Sequence, residues 1–156
     1  MRSRRGTLNR LSVLIDTSFL LPALGVEIEE EAERVIPLFR KINVYYLEAG
    51  LLEAMWKILK IANSKALKRV EAGIDAIRKT YNLASPPPEA YVEAARIYRA
   101  GHKDYIDALH YSTAKALNLK LLTIDRQFIE FLLNNEYEVE KIIITPERLR
   151  QILHHA

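Results

Sequence analysis

The chain has 156 residues, 49 % of them hydrophobic and 28 % charged, with no cysteine. That length suits one ordinary domain with its own core, and the composition excludes disorder, collagen, coiled coil, disulfide scaffolds, thiolate zinc sites and cysteine nucleophiles. The formal charge of +3 is uneven: Arg2, Arg4, Arg5 and Arg10 stand in the first ten residues without an acid, leaving 19 basic against 20 acidic residues in the rest. Residues 1–10 therefore read as a basic, flexible leader and residues 11–153 as a single domain whose body is close to neutral. No run approaches the roughly 18 apolar residues of a membrane span. Asp16 also cuts the apolar run behind the arginines, which argues against a secretory signal. A cytoplasmic protein with no membrane contact is expected.

In chain order, residues 11–15 (LSVLI) have the composition of a strand buried on both faces. Residues 29–41 read as one bent helix or two short ones, because Pro37 interrupts the periodicity. Residues 43–47 (NVYYL) suit a strand, and helical spacing returns over 48–62. Ser64 is placed to cap an amphipathic helix over 65–81. The run Ser85-Pro86-Pro87-Pro88 is extended or turn. Helices follow over 89–100, closed by Gly101, and over 103–117. Residues 120–124 (KLLTI) and 141–145 (KIIIT) are strands, with a helix over 126–134 between them. Pro146 opens a last short helix. Helices alternating with short apolar strands predict an α/β fold, a three-layer α/β/α sandwich around a parallel sheet.

Two strands end alike, LSVLI-Asp16 and KLLTI-Asp125. In an open parallel sheet, ligands bind beyond the carboxyl ends of the strands, so both aspartates are placed on one rim. Either also suits the N-cap of a following helix. Asp107 and Glu53 stand among core-like positions of their helices, where an acid needs a partner. A salt bridge or a place at the helix boundary would serve each one singly. Four carboxylates converging on one rim repel one another unless a cation neutralises them. All-oxygen ligation selects a hard divalent ion, Mg²⁺ or Mn²⁺, which can activate water and stabilise charge developing on a phosphate.

The segments LIDTSFLLPA (14–23), LLEAMWKIL (51–59) and DALHYSTAKALNLKLLTIDRQF (107–128), in that order, resemble the PIN-domain nucleases over roughly residues 11–145. The resemblance implies a four-carboxylate centre at Asp16, Glu53, Asp107 and Asp125, binding Mg²⁺ or Mn²⁺. It implies small hydroxyl residues at Thr17 or Ser18 and at Thr123 that orient carboxylates or a metal water. The implied activity is RNA hydrolysis by a metal-activated water. A lone domain of this kind is similar to VapC-type toxins, which implies a homodimer and an antitoxin partner. A non-catalytic PIN-like module binding RNA or protein is the alternative, and a phosphoryl-accepting α/β domain leaves Glu53 and Asp107 unexplained.

Several neighbours of the four acids stay open. Glu48 competes with Glu53. Asp104 is either an extra acid beside Asp107 or a charge suited to the helix dipole. His110 is read as a packing residue. Arg126 and Lys57, with Lys60, could hold RNA phosphates or be solvated helix charges. Tyr45, Tyr46, Tyr105 and Tyr111 could stack bases or be spent on the core.

Overall fold

A computed structural model describes residues 10–61 and 63–154. The expected leader lies outside the described residues except Arg10, whose guanidinium donates to the Arg40 carbonyl at 3.3 Å. Five strands are present among them: β1 (Ser12–Ile15), β2 (Asn43–Tyr46), β3 (Asn82–Leu83), β4 (Lys120–Leu122) and β5 (Ile143–Ile144). They form one sheet in the order β3-β2-β1-β4-β5, and every pairing is parallel. The helices are α1 (Glu30–Glu33), α2 (Glu48–Leu59), α3 (Ser64–Thr80), α4 (Pro88–Ala100), α5 (Tyr105–Ala116), α6 (Arg126–Asn134) and α7 (Pro146–His154). None is long and apolar enough to cross a membrane.

The period-2 geometry of a strand sends alternate β1 side chains to opposite faces. Val13 and Ile15 join one core with Leu51 and Ile58 of α2, Val70 and Ile77 of α3, and Leu149 of α7. Leu14 joins the other with Ile97 of α4, Tyr111 of α5, and Phe128 and Leu132 of α6. All three β1 residues are wholly buried, which explains why this strand reads as a continuous apolar run. The result is the α/β/α sandwich anticipated from the sequence.

Local differences have local causes. Pro37 divides the expected 29–41 helix into α1 and a 3-10 segment over Ile36–Lys41. Asn63, not Ser64, caps α3, its side chain accepting from the Ala66 amide at 3.1 Å. Pro88 supplies the first residue of α4, where a missing amide hydrogen costs nothing. The strand expected over 141–145 shortens to two residues, because the Ile142 and Ile143 amides both turn back to the Val139 carbonyl. β3 has no apolar signature, since both its residues are exposed. It is held by backbone pairing to β2.

Two close fits fix how the helices seat. Tyr111 is wholly buried and its hydroxyl donates to the Glu138 carbonyl at 2.7 Å, tying α5 to the loop before β5. On the opposite face, α3 crosses the 3-10 turn Pro22–Leu24 at Gly73. A β-carbon on Gly73 would stand 2.2 Å from the Ala23 carbonyl oxygen, a contact only backbone movement can relieve. Gly73→Ala should therefore destabilise the fold by about 1–3 kcal/mol, measured as a lower midpoint in urea unfolding with an unchanged slope.

Candidate active site

The sheet reverses its direction of winding between β1 and β4, and this switch point is where open α/β sheets bind ligands. Ile15 pairs with Leu122, and the Asp16 amide donates to the Leu122 carbonyl at 3.2 Å. The chain thus leaves both strands at the same edge, with Asp16 immediately past β1 and Asp125 three residues past β4. Both aspartates also begin helical turns. Asp16 accepts from the Ser18 amide and Asp125 from the Phe128 amide, each at 3.0 Å. Capping and rim placement are compatible, because a cap uses one carboxylate oxygen and leaves the other.

The remaining acids come from helices that start at this edge. Glu53 lies in the second turn of α2, and Asp107 in the first turn of α5. Asp104 is the N-cap of α5, accepting from the Asp107 amide at 3.1 Å, so α5 starts two residues later than its periodicity predicts. Asp104 therefore serves the helix end, as the dipole reading expects, and also adds negative charge beside Glu53 and Asp107. Glu48 is taken up elsewhere: it receives Arg78 on both oxygens, at 3.0 and 3.1 Å, in an exposed pair.

The acids influence one another's ionisation. Burial first, then the charges of Asp104, Asp125, Glu53 and Asp16, push the Asp107 carboxyl up to about 9. Burial raises Asp16 to about 6 despite hydrogen bonds from the Thr123 hydroxyl and the Ser18 amide, with Lys57 opposing and Glu53 reinforcing the rise. Glu53 is raised as well, mainly by burial. Lys57, one turn beyond Glu53, is thus close enough to lower both Asp16 and Glu53. The donor set is all oxygen. Among the described residues no three His, Asp or Glu side chains are arranged, as they stand, to hold a metal ion together.

The expected hydroxyl residues occupy the spaces between the acids. Thr123 accepts from the Asp125 amide at 3.1 Å while its hydroxyl faces Asp16, linking the two strand-end acids through one side chain. Thr17 is buried; its hydroxyl lies near enough to lower the Glu53 carboxyl but meets no partner at full hydrogen-bond geometry. Arg126 opens α6 and, with Ser18, Thr123 and Asp125, lines a cleft of about 840 Å³. A cavity of about 890 Å³ between α1 and α7 contains none of these acids.

His110 packs in the interior. Its Nδ1–H donates to the Ile106 carbonyl at 2.8 Å, and burial lowers its pKa to about 4. Tyr46 and Tyr111 are likewise core residues, and the exposed Tyr105 donates to the Tyr91 carbonyl at 2.9 Å. One residue at the site has no counterpart in the sequence reading. His102, in the turn before α5, places Nε2 3.1 Å from Asp107 Oδ2. The only sequence signal for it is a histidine directly after the helix-ending Gly101.

The raised carboxyls set a pH dependence. Asp16 and Asp107 favour their neutral forms in the fold, so the stability they contribute is complete below about pH 4. It is lost as pH rises through about 6 for Asp16 and about 9 for Asp107. His110 acts oppositely, losing stability as pH falls from its usual 6.5 through about 4. In EDTA, Asp107→Asn should gain thermal stability over the parent chain, by a margin that widens from pH 6 to pH 9. Thermal unfolding at a series of pH values measures that margin.

The PIN domain family profile matches residues 13–131. No curated protein sequence matches the chain. Among solved structures, PAE2754 from Pyrobaculum aerophilum is similar at 19 % identity and TM-score 0.61, covering 94 % of this chain and 97 % of its own. A toxin–antitoxin complex from Klebsiella pneumoniae matches at 16 % identity and TM-score 0.60, over 86 % and 97 % of the two chains. VapC20 of Mycobacterium tuberculosis, described as a sarcin–ricin loop cleaving toxin, matches at 16 % and 0.57, over 74 % and 92 %. At these identities the neighbours attest the fold, and the profile match over most of the chain places it in the PIN domain family.

Proposed function

We propose that the protein is a metal-dependent endoribonuclease, and that it acts as the toxin of a toxin–antitoxin pair. The observation that carries the reading is Asp107, whose carboxyl senses Asp16, Glu53, Asp125 and Asp104 at once. So much like charge at one sheet edge is costly without a counter-ion, and oxygen donors suit Mg²⁺ or Mn²⁺. Asp16, Glu53, Asp107 and Asp125 would hold the cation, which when bound lowers the pKa of water and offsets charge on a phosphate. Thr17, Ser18, Thr123 and Asp104 keep the carboxylates oriented, and Lys57 and Arg126 draw RNA phosphates to an otherwise anionic rim.

The partner reading rests on the surface of α2 and on the neighbouring toxin–antitoxin complex. Leu52, Trp56 and Leu59 recur along one side of α2 and are each more than half exposed, a face that a protein partner would cover. The antitoxin is proposed as that partner, and a homodimer completes the assembly. One observation favours the alternative of a non-catalytic RNA- or protein-binding module: the acids are not arranged, as they stand, to hold an ion together.

Asp16→Asn and Asp125→Asn should each lower RNA cleavage in Mn²⁺ by about 100-fold or more, since the lost metal–water activation represents several kcal/mol. Circular dichroism should show the fold intact. Asn variants that cleave at the parent rate would exclude the site. A flat calorimetric titration with millimolar Mn²⁺ would favour the non-catalytic module.

A further inference from the structure

We propose that His102 is a positioning residue for Asp107: when a cation holds Asp107 ionised, the His102 Nε2–H holds one carboxylate oxygen and leaves the other turned toward the remaining acids. The proposal rests on the metal-site reading above and adds to it a residue outside the four-acid pattern. Three features of the structure converge on it.

The first is backbone geometry. The Gly101 amide donates to the Tyr98 carbonyl at 3.1 Å and the His102 amide to the Ile97 carbonyl at 3.4 Å, the paired bonds of a Schellman turn. Gly101 has φ +131°, which a residue with a β-carbon adopts only under strain. The turn stops α4 abruptly and delivers the next side chain inward. The second is the seat of the ring. His102 meets Phe128 edge-on at 4.4 Å between centroids and Phe131 at 5.4 Å. Both phenylalanines belong to α6, the helix that Asp125 caps, so the imidazole bridges the elements carrying Asp107 and Asp125. The third is the hydrogen bond itself. Nε2 lies 3.1 Å from Oδ2, with the His102 and Asp107 side chains only 15 % and 22 % exposed. In so sheltered a place an oriented donor constrains a carboxylate more firmly than solvent does.

Asp104 constrains the backbone of Asp107 through its amide, but His102 is the group that fixes the carboxylate's rotation. Carboxylates that bind metals are in turn hydrogen-bonded, and loss of that partner costs 10–100-fold in affinity. An imidazole clamped by two aromatic rings supplies the bond with little rotamer freedom left to lose.

The test separates the donor from the packing. In the full chain, His102→Phe retains an aromatic ring against Phe128 and Phe131 but has no donor, whereas His102→Gln retains an N–H at the Nε2 position. By calorimetry with Mn²⁺, His102→Phe should bind about 10–100-fold more weakly, and His102→Gln within about fivefold of the parent. Should the phenylalanine variant fail to fold, long-range ¹H–¹⁵N spectra of the Mg²⁺-saturated parent should still show His102 protonated at Nε2. Parent-like Mn²⁺ affinity in His102→Phe, or a His102 ring protonated at Nδ1 alone, would overturn the assignment while leaving the metal site standing. A parent chain that takes up no Mn²⁺ would overturn the metal reading and this one together.

Discussion

The parallel pairing of β1 with β4 is the constraint on which the rest of the molecule depends. Its hydrogen bonds fix the register of Ile15 against Leu122, and that register brings Asp16 and Asp125 to one edge. Parallel strands need long crossovers, so every other element is routed back over a sheet face by the same requirement. Two of those returning helices, α2 and α5, start at this edge and carry Glu53 in the second turn and Asp107 in the first. Crowding of carboxyls is thus a consequence of the topology.

The fold tolerates the crowding by giving the acids second tasks. Asp16, Asp104 and Asp125 each satisfy a backbone amide at the start of a helical turn. Those amides supply partial positive charge that offsets part of the repulsion. Asp107 has no capping task and carries the largest upward shift of the group. The electrostatic tension is therefore concentrated on one residue, and that residue is the one His102 contacts.

How much of this was legible depended on whether the information lay within a few residues. A short apolar run followed by Asp identified both central strands and their acids, because burial on both faces leaves no other composition. Helix phase separates Glu48 from Glu53 in principle: five residues place them about 140° apart around the helix. Only the fold shows which direction faces the sheet edge and which meets Arg78. Asn82–Leu83 carried no signal, since a two-residue edge strand is specified by its neighbour's free backbone groups. His102 was unreadable for a related reason: its partners Phe128 and Phe131 lie 26 and 29 residues downstream, and a histidine in a turn looks the same whether it meets solvent or a carboxylate. For Asp104 the sequence leaves two roles open, an extra acid beside Asp107 or a charge suited to the helix end, and the residue both caps the helix and bears on Glu53 and Asp107.

The stripe of apolar residues along α2 has a further consequence. Trp56 is the chain's one tryptophan, is 54 % exposed, and lies three residues beyond Glu53. Indole emission responds to the polarity of its surroundings, so the protein carries an intrinsic optical label at the place where its acidic edge meets its uncovered helix. Whatever settles on that helix changes the colour of the light the molecule emits.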